Sequence, residues 1–382
     1  MEDVVFVQRK NTGSVKWDMM LPGYGREDLL PMWIADMDFR VPECVTEALT
    51  QCIQAGVHGY SYLGMDFLNA FIQWEQERHG FAVEKSWLSY TPGVVAALNW
   101  AVQAFTQPGD GVVVLTPVYP QFLKAVCGNG RKLLEVPLLH QGSRFEMDLS
   151  GIENAIRHEQ GKLLLLCSPH NPVGRVWSRE ELAALLAVCR DNGVIVVSDE
   201  IHQDITLTEQ AHTPICALEQ KNTVIFTAPS KTFNLAGFDN ALAIIPDDNL
   251  RRIWNDHIAP MHVDHGNTLG YVAGAAAYRK GRPWNQAVCR QILENHNFLR
   301  RILLDNYPFL QIPEPEGTYL MWIDFGAYLK EDQIKPFFQE KCRIAVNYGS
   351  TFGSCCSTCI RINLATSPQI VQECAKRILE NL

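Results

Sequence analysis

Four short runs of consecutive apolar residues, separated by helical patterns, constrain the fold of this chain more than any other feature. They occupy residues 112–115, 163–167, 194–197 and 224–226, and the last run continues into Thr227 of a strand predicted at 224–227. Strands that are apolar on both faces are typical of a parallel sheet covered on each side. Between the second and third runs, Ser178 and Glu181 form the capping-box pattern of a helix start. This alternation predicts an α/β fold in which helices cover both faces of a mostly parallel sheet.

Three polar side chains follow these strands at the points where the strands end. Asn171 lies in a loop with two prolines and a glycine after the second run, and Asp199 follows the third run. Lys231 follows the fourth run, within the sequence Pro-Ser-Lys-Thr-Phe-Asn. Ligands of open α/β sheets bind at the carboxyl ends of the strands. We therefore expect the three side chains to share one site.

A lysine, a carboxylate and an amide at one sheet edge are the groups that pyridoxal 5'-phosphate requires. Burial lowers the pKa of a lysine, and the neutral amine can then form a Schiff base with the cofactor. The carboxylate keeps the pyridine nitrogen protonated, and the amide donates to the phenolic oxygen of the ring. The sequence therefore predicts pyridoxal 5'-phosphate as the cofactor, bound by Lys231, Asp199 and Asn171.

The chain resembles the MalY/PatB-type carbon–sulfur lyases, which are cystathionine β-lyase-like members of the fold-type I pyridoxal-phosphate enzymes. The most specific shared motif is Trp-Ile-Ala-Asp-Met-Asp-Phe at residues 33–39. Other shared motifs lie at residues 14–18, 59–60, 91–95, 168–177, 198–202, 229–237 and 360–365. The resemblance implies a large cofactor-binding domain with a mostly parallel seven-stranded sheet, and a smaller α+β domain. The expected ranges are 46–282 for the large domain, and 1–45 with 283–382 for the small one.

The cofactor phosphate is expected at the start of a helix that follows Thr-Pro-Gly. Such a start leaves free N–H groups and the positive end of the helix dipole, which suit an anion. The resemblance implies that main-chain groups of Gly93, Val94 and Val95 hold the phosphate. It adds the hydroxyl of Ser230, and Tyr60 from the other subunit of a homodimer.

The substrate end of the site is implied by the resemblance alone. Arg361 would hold the substrate α-carboxylate with its planar donors, helped by Asn171 and the backbone of Ala35. Tyr119 would lie against the cofactor ring and act in catalysis, and His202 would lie in the surroundings of the ring. Without the resemblance, Arg361 between two isoleucines would indicate the solvent face of an edge strand. Tyr119 would then be an aromatic residue packed in a proline-rich turn, and His202 could equally be structural or catalytic.

One position departs from the pattern of aminotransferases with this fold. These enzymes commonly have an arginine eight residues after the lysine, where it neutralises the phosphate, and this chain has Asp239 there. A carboxylate would repel the phosphate if it pointed inward. We therefore expect Asp239 to turn away or to pair with a cation, and its presence favours the lyase branch.

The resemblance implies α,β-elimination from a sulfur amino acid. Cystathionine or another cysteine S-conjugate would yield a thiol, pyruvate and ammonia. An aminotransferase acting on aromatic or aliphatic amino acids uses the same residues and is the main alternative. A regulatory protein that keeps the fold and the cofactor is a lesser one. A nicotinamide-dependent oxidoreductase is rejected, since no G-x-G-x-x-G loop follows the first strand.

Composition and charge exclude several other classes of protein. The net charge is −9 and no basic run offsets it, which argues against nucleic acid or an anionic membrane as a partner. No apolar stretch approaches the roughly 18 residues of a membrane span. The first ten residues have acids before bases, the reverse of a signal peptide. These features together predict a cytoplasmic protein.

The chain has 12 cysteines, most of them within helical or strand patterns that indicate small buried side chains. Cys355, Cys356 and Cys359 differ, because their spacing could hold a metal or form a disulfide. No matching pair of Cys or His follows nearby. We therefore expect incidental thiols, without a metal site or a disulfide framework.

Overall fold

The computed structural model describes residues 4–60, 64–263 and 266–382. In chain order its α-helices are α1 (Val15–Asp18), α2 (Met20–Tyr24), α3 (Glu43–Gln54), α4 (Met65–His79), α5 (Val94–Phe105), α6 (Pro120–Gly128), α7 (Leu149–His158), α8 (Arg179–Asp191), α9 (Pro229–Thr232), α10 (Asp248–Ile258), α11 (Thr268–Lys280), α12 (Arg282–Asn306), α13 (Glu331–Pro336) and α14 (Pro368–Leu379). The strands are β1 (Leu30–Pro31), β2 (Leu88–Thr91), β3 (Gly111–Thr116), β4 (Lys132–Pro137), β5 (Leu139–Gln141), β6 (Arg144–Glu146), β7 (Gly161–Cys167), β8 (Ile195–Asp199), β9 (Thr223–Thr227), β10 (Ala241–Ile244), β11 (Leu320–Asp324), β12 (Ile344–Ala345), β13 (Asn347–Tyr348) and β14 (Cys359–Asn363).

The main sheet of the described residues has seven strands in the order β2-β10-β9-β8-β7-β3-β4. Strand β10 is antiparallel to both of its neighbours, and the other pairs are parallel. All residues of β3, β9 and β10 are buried. This confirms the predicted fold class, and it explains why the strands are continuous apolar runs.

Two hydrophobic clusters lie on opposite faces of this sheet. In β3, Val112 and Val114 pack into one cluster, whereas Val113 and Leu115 pack into the other. This alternation follows from the two-residue period of a strand. The first cluster includes apolar residues of α5, α6 and α10, and the second includes residues of α4, α7, α8 and α11. The sheet is therefore covered by helices on both faces, as the sequence pattern predicts.

Helix α8 begins with the capping box that the sequence predicts. The amide of Glu181 donates to Ser178 Oγ at 3.2 Å, and the amide of Ser178 donates to Glu181 Oε2 at 2.8 Å. Gly193 follows the helix with a positive φ of 67°. Helical spacing in the sequence predicts an apolar face of Leu182, Leu185, Leu186 and Cys189, and these are the buried residues of the helix. The helix thus covers the sheet as predicted.

Helical spacing in the sequence predicts an apolar face of Val95, Leu98, Val102 and Phe105 for α5, and this prediction is partly wrong. Val95 is 39% exposed, and Phe105 is only half-buried. The buried residues are Val94, Ala97, Leu98, Ala101 and Val102. The two alanines let the helix pack closely against the sheet, and this rotates the buried stripe away from Val95.

A second, three-stranded antiparallel sheet has the order β11-β14-β13 and packs with residues of α12 and α14 in a separate apolar cluster. Strand β1 pairs in parallel with β12, which joins the N-terminal segment to the C-terminal part of the chain. Helix α3 spans the expected boundary at residue 45, and α12 begins close to the expected boundary at residue 282. The domain ranges themselves stay predictions. Among the described residues, no helix is both long and apolar enough to cross a membrane.

Candidate active site

A cavity of about 360 Å³ lies at the carboxyl ends of β3, β7, β8 and β9. All predicted site residues except Tyr60 and Arg361 line it. These are Ala35, Gly93, Val94, Val95, Tyr119, Asn171, Asp199, His202, Ser230 and Lys231. The shared location follows from the parallel strands, which deliver their loops to one edge of the sheet.

Lys231 lies in α9, directly after β9, and its amine points into the cavity. Its Nζ donates to the carbonyl oxygen of Ala35 at 2.6 Å. Burial lowers the pKa of Lys231 to about 8, and the nearby Arg361 adds to this effect. Near neutral pH the neutral amine, which a nucleophilic lysine requires, is therefore far more populated than in an unperturbed lysine.

Asp199 is the last residue of β8 and is only 6% exposed. Its Oδ1 accepts a hydrogen bond from the amide of Ile201 at 3.1 Å. Burial raises the pKa of Asp199 to about 7. A cationic ring nitrogen placed beside this carboxyl group would favour its ionised form and would itself stay protonated.

His202 and Tyr119 contribute rings to the wall of the cavity. His202 is buried, and its ring lies 5.6 Å from the ring of Tyr319 at an interplanar angle of 71°. Burial lowers the pKa of His202 well below its usual value, so the imidazole is neutral. The amide of Tyr119 donates to the carbonyl oxygen of Asn171 at 3.1 Å. Burial raises the pKa of the Tyr119 hydroxyl, which therefore stays protonated.

Arg361 is buried in β14, the central strand of the small sheet, so the edge-strand interpretation is wrong. Its Nη1 donates to Asn171 Oδ1 at 2.9 Å. Its Nη2 donates to Asn347 Oδ1 at 2.7 Å and to the carbonyl oxygen of Trp33 at 3.3 Å. Its Nε has no described hydrogen-bond partner. The contact with Asn171 places Arg361 next to the cavity that it does not line.

The opposite end of the cavity has the properties of an anion site. Helix α5 begins at Val94, and Gly93 precedes it without a side-chain cap. The amides of the first turn are therefore open to an anion. Ser230 and Asn240 lie at the same cavity. Asn240 is 4% exposed, and within the described residues neither polar atom of its amide has a partner. These groups fit a phosphate, because buried polar atoms require partners.

Asp239 lies at the exposed rim of this cavity in a left-handed conformation with a φ of 46°. Its carbonyl oxygen accepts a hydrogen bond from the Tyr90 hydroxyl at 2.8 Å. In the part of the chain that the structure describes, no cation forms an ion pair with its carboxylate. The expected pairing with a cation is therefore not observed, and the other alternative, that Asp239 turns away from the phosphate, stays a prediction.

Sequence reasoning missed three residues that shape the site. The hydroxyl of Tyr319 donates to the carbonyl oxygen of Ala35 at 2.7 Å, the same acceptor that Lys231 uses. Asn347 orients Arg361, and Asn240 lies at the phosphate end. Tyr319 lies beside the apolar strand β11 and Asn347 lies in the two-residue strand β13, and neither position has a distinctive sequence signal.

Tyr60 is fully exposed and lies outside the residues that line this cavity. Its predicted reach into another subunit stays a prediction. The three cysteines of the Cys-Cys-x-x-Cys segment also lie elsewhere, at a separate cavity. None of the cysteines forms a disulfide.

The chain matches the family model described as aminotransferase class I and II over residues 27–378. Cystathionine beta-lyase PatB of Bacillus subtilis (strain 168) is 39% identical over 375 residues, which cover 97% of each chain. Cystalysin from Treponema denticola, whose structure contains pyridoxal 5'-phosphate, has a TM-score of 0.95 and 33% identity. That match covers 100% of this chain and 98% of cystalysin.

The pyridoxal-phosphate-bound C-S lyase from Staphylococcus hominis has a TM-score of 0.93 and 32% identity, covering 99% of this chain and 97% of that one. These similarities extend over the main sheet and the small one. The site has the groups that a pyridoxal-phosphate enzyme needs, namely the buried Lys231, the buried Asp199 and an anion site at the start of α5. The chain therefore belongs to the pyridoxal-phosphate-dependent class I and II aminotransferase family, in the branch of the MalY/PatB-type carbon–sulfur lyases.

Proposed function

We propose that this protein is a pyridoxal-phosphate-dependent carbon–sulfur β-lyase that converts cystathionine or a similar cysteine S-conjugate into a thiol, pyruvate and ammonia. The observation that carries the proposal is the grouping of Lys231, Asp199 and Asn171 around one cavity, in a chain 39% identical to a cystathionine β-lyase. The presence of Asp239 in place of an arginine also supports the lyase branch over the aminotransferases.

The residues around the cavity divide among the parts of the cofactor. Lys231 would hold its reactive carbon, and Asp199 its ring nitrogen. The start of α5 and Ser230 would hold its phosphate. When bound, pyridoxal phosphate supplies a ring that accepts the electrons left on the substrate Cα. Tyr119 and His202 would face the ring, and both are neutral, so they add no charge that competes with Asp199.

Arg361 would bind the α-carboxylate of the substrate. Its guanidinium is buried next to three neutral acceptors, and burial lowers its pKa to about 10. A buried cation without an anionic partner is costly, and a carboxylate removes that cost with two charge-assisted hydrogen bonds. Asn171 would connect the two ends of the site. Its Oδ1 orients Arg361, and its Nδ2 has no described partner and can serve the cofactor.

The proton on the substrate Cα would be removed by the Lys231 amine. The carbonyl oxygen of Ala35 accepts from Lys231 Nζ and from the Tyr319 hydroxyl, so it holds the amine at a defined place. A base must lie within hydrogen-bond reach of the proton it removes. Once it has taken up that proton, the same side chain could pass it to the departing sulfur. Water would then hydrolyse the remaining unsaturated amino acid to pyruvate and ammonia, so no keto acid is needed.

We further propose a homodimer in which Tyr60 reaches the phosphate of the partner subunit. Tyr60 is fully exposed in the single chain. Ile53, Val57 and Met65, on either side of it in sequence, are 57%, 83% and 43% exposed. Several exposed apolar side chains in one stretch of sequence support an interface in this part of the chain. A twofold interface would give each cavity one tyrosine from the other subunit.

The proposal is tested by substituting Lys231 in the holoenzyme and measuring pyruvate release from L-cystathionine. Lys231→Ala should lose nearly all turnover and the visible absorbance of the bound cofactor. The matched control is Lys221→Ala, which removes an exposed lysine outside the cavity and should keep both. Full pyruvate release by folded Lys231→Ala enzyme would refute the proposal.

A further inference from the structure

Three thiols lie together in the loop that precedes the Arg361 strand. We refer to residues 352–359 as the cysteine loop. The Sγ atoms of Cys355 and Cys356 are 3.1 Å apart. All three line a cavity of about 210 Å³, separate from the candidate active site. Within the described residues, no group of three or more His, Cys, Asp or Glu side chains is arranged to hold a metal ion.

The backbone of the loop brings two of these cysteines to disulfide distance. The amide of Cys359 donates to the carbonyl oxygen of Cys356 at 3.1 Å, which closes a β-turn. The ends of a β-turn have Cα atoms less than about 7 Å apart, and disulfides span about 4.4–6.8 Å between Cα atoms. The turn is anchored by the Thr358 hydroxyl, which donates to Asp324 Oδ1 at 2.7 Å. Cys356 and Cys359 can therefore be linked without unfolding the loop.

Solvent reaches the cluster through Cys355. Cys355 is exposed, whereas Cys356 and Cys359 are each only 6% exposed. The thiolate of Cys355 could attack a small disulfide RSSR and release one RSH. Cys356 would then attack the Cys355 sulfur, form a Cys355–Cys356 disulfide and release the second RSH. Finally, Cys359 would attack the Cys356 sulfur, form the Cys356–Cys359 disulfide and release Cys355 as a thiol. In total, RSSR gains two electrons and two protons from Cys356 and Cys359.

The cysteine loop also contacts the groups that would bind the substrate. Cys359 is the first residue of β14, which contains Arg361. At the other end of the loop, the ring of Phe352 lies 5.0 Å from the Arg361 guanidinium carbon. The carbonyl oxygen of Phe352 accepts from the amide of Val118 at 2.9 Å, directly before Tyr119. A change of loop conformation would therefore act on both sides of the cavity.

We propose that the cysteine loop is a modification site at which small-molecule disulfides link Cys356 to Cys359, and that this link weakens substrate binding at Arg361. The second part rests on the proposed function, in which Arg361 binds the substrate carboxylate. The thiol released by the proposed reaction is a reductant of the kind that reverses the link. The hydrogen bond with Cys356 and burial raise the pKa of the Cys355 thiol, so exchange is slow at neutral pH and accelerates as the pH rises.

The test uses the purified holoenzyme with glutathione disulfide as the probe. Peptide mass mapping should find a Cys356–Cys359 link, seen as the loss of two hydrogens. KM for L-cystathionine should rise about tenfold or more, with a smaller change in kcat, because a substrate-binding arginine is displaced. Dithiothreitol should restore the original KM.

Variants separate this site from the other thiols. Cys356→Ser and Cys359→Ser should keep a low KM in glutathione disulfide, whereas Cys127→Ser should respond like the unmodified enzyme. Cys127 is an exposed cysteine of α6, away from the loop. If a serine variant fails to fold, peptide mass mapping of the enzyme without substitutions still shows whether the Cys356–Cys359 link forms. A failure of reduced enzyme to release pyruvate would contradict the proposed function without affecting the mapping.

Two results would overturn the proposal. One is modification of Cys127 or other thiols without a Cys356–Cys359 link, and the other is a complete link with KM unchanged.

Discussion

Lys231 and Asp199 share one cavity, and burial shifts their pKa values towards each other. The pKa of Lys231 falls to about 8, and that of Asp199 rises to about 7. Desolvation penalises the charged form of each group. Burial therefore favours the uncharged form of each group. An uncharged lysine amine can attack a carbonyl group, and an uncharged carboxyl group tolerates the buried cavity until the cofactor binds. Such opposite shifts at one site are typical of catalytic residues.

The rate at which the apoenzyme captures pyridoxal phosphate should rise with pH and reach half of its maximum near the Lys231 pKa of about 8. Below that pH Lys231 is an ammonium group, which cannot attack a carbonyl, and above it the amine is neutral. Stopped-flow absorbance of the cofactor measures this rate. A midpoint close to about 10.4, the value for an unperturbed lysine, would contradict the assigned environment.

Asp199→Asn should make the apoenzyme more stable at pH 8 while removing most of its activity as holoenzyme. The folded-state pKa of Asp199 is raised, so its contribution to stability is complete below the unfolded pKa of about 3.9 and is lost as pH rises through about 7. The amide of the Asn variant has no charge at any pH, so the variant does not lose stability as the pH rises. We therefore expect its free energy of unfolding at pH 8 to exceed that of the unmodified apoenzyme by about 1–3 kcal/mol. Urea denaturation of both apoenzymes at pH 5 and pH 8 measures the difference, which should shrink at the lower pH. An Asn variant that is less stable at pH 8 would show that Asp199 is ionised and well solvated.

At the scale of elements, the sequence predicts most of what places the site. Continuous apolar runs identified the buried strands, and capping chemistry identified the start of α8, because both are local properties of the chain. The prediction of the buried face of α5 is partly wrong, because the close packing of Ala97 and Ala101 determines which face of the helix is buried. The burial of Arg361 depends on pairing of β14 with β11 and β13, which local patterns do not reveal.

Ser178→Ala should lower the free energy of unfolding by about 1 kcal/mol, since it removes the side-chain cap of α8. The cofactor absorbance and KM should stay unchanged, because α8 lies on the helical layer away from the cavity. Urea unfolding monitored by circular dichroism measures the loss. Ser150→Ala, at an exposed helical serine, is the control and should change stability little. Equal stabilities of the two variants would contradict the capping role.

At the scale of the whole molecule, the candidate site combines the cavity with Arg361 beside it, and its residues come from distant parts of the chain. Ala35 lies in the N-terminal part and Arg361 in the small sheet, whereas Asp199 ends a strand of the main sheet and Lys231 and Asn171 follow such strands. The spatial grouping of the last three could be predicted, since parallel strands end at one edge. The position of Arg361 could not, because it depends on how the small sheet packs against the large one. The contribution of a second subunit was accessible only through the resemblance.

Tyr60→Phe should weaken retention of pyridoxal phosphate by about 1.5–3 kcal/mol, because it removes one hydrogen bond to a charged group across the proposed interface. Equilibrium dialysis of the cofactor gives the dissociation constant, and Tyr328→Phe, at a tyrosine outside the cavity, serves as the control. Analytical ultracentrifugation should show a dimer. A monomer that binds the cofactor with undiminished affinity would contradict the proposed dimer site.

The central claim is that the cavity catalyses β-elimination from a sulfur amino acid. The most direct test incubates the holoenzyme with L-cystathionine and quantifies thiol, pyruvate and ammonia, with and without an added keto acid. Elimination predicts equal amounts of the three products over many turnovers, independent of the keto acid. Turnover that occurs only with a keto acid and yields a new amino acid would show that the protein is an aminotransferase.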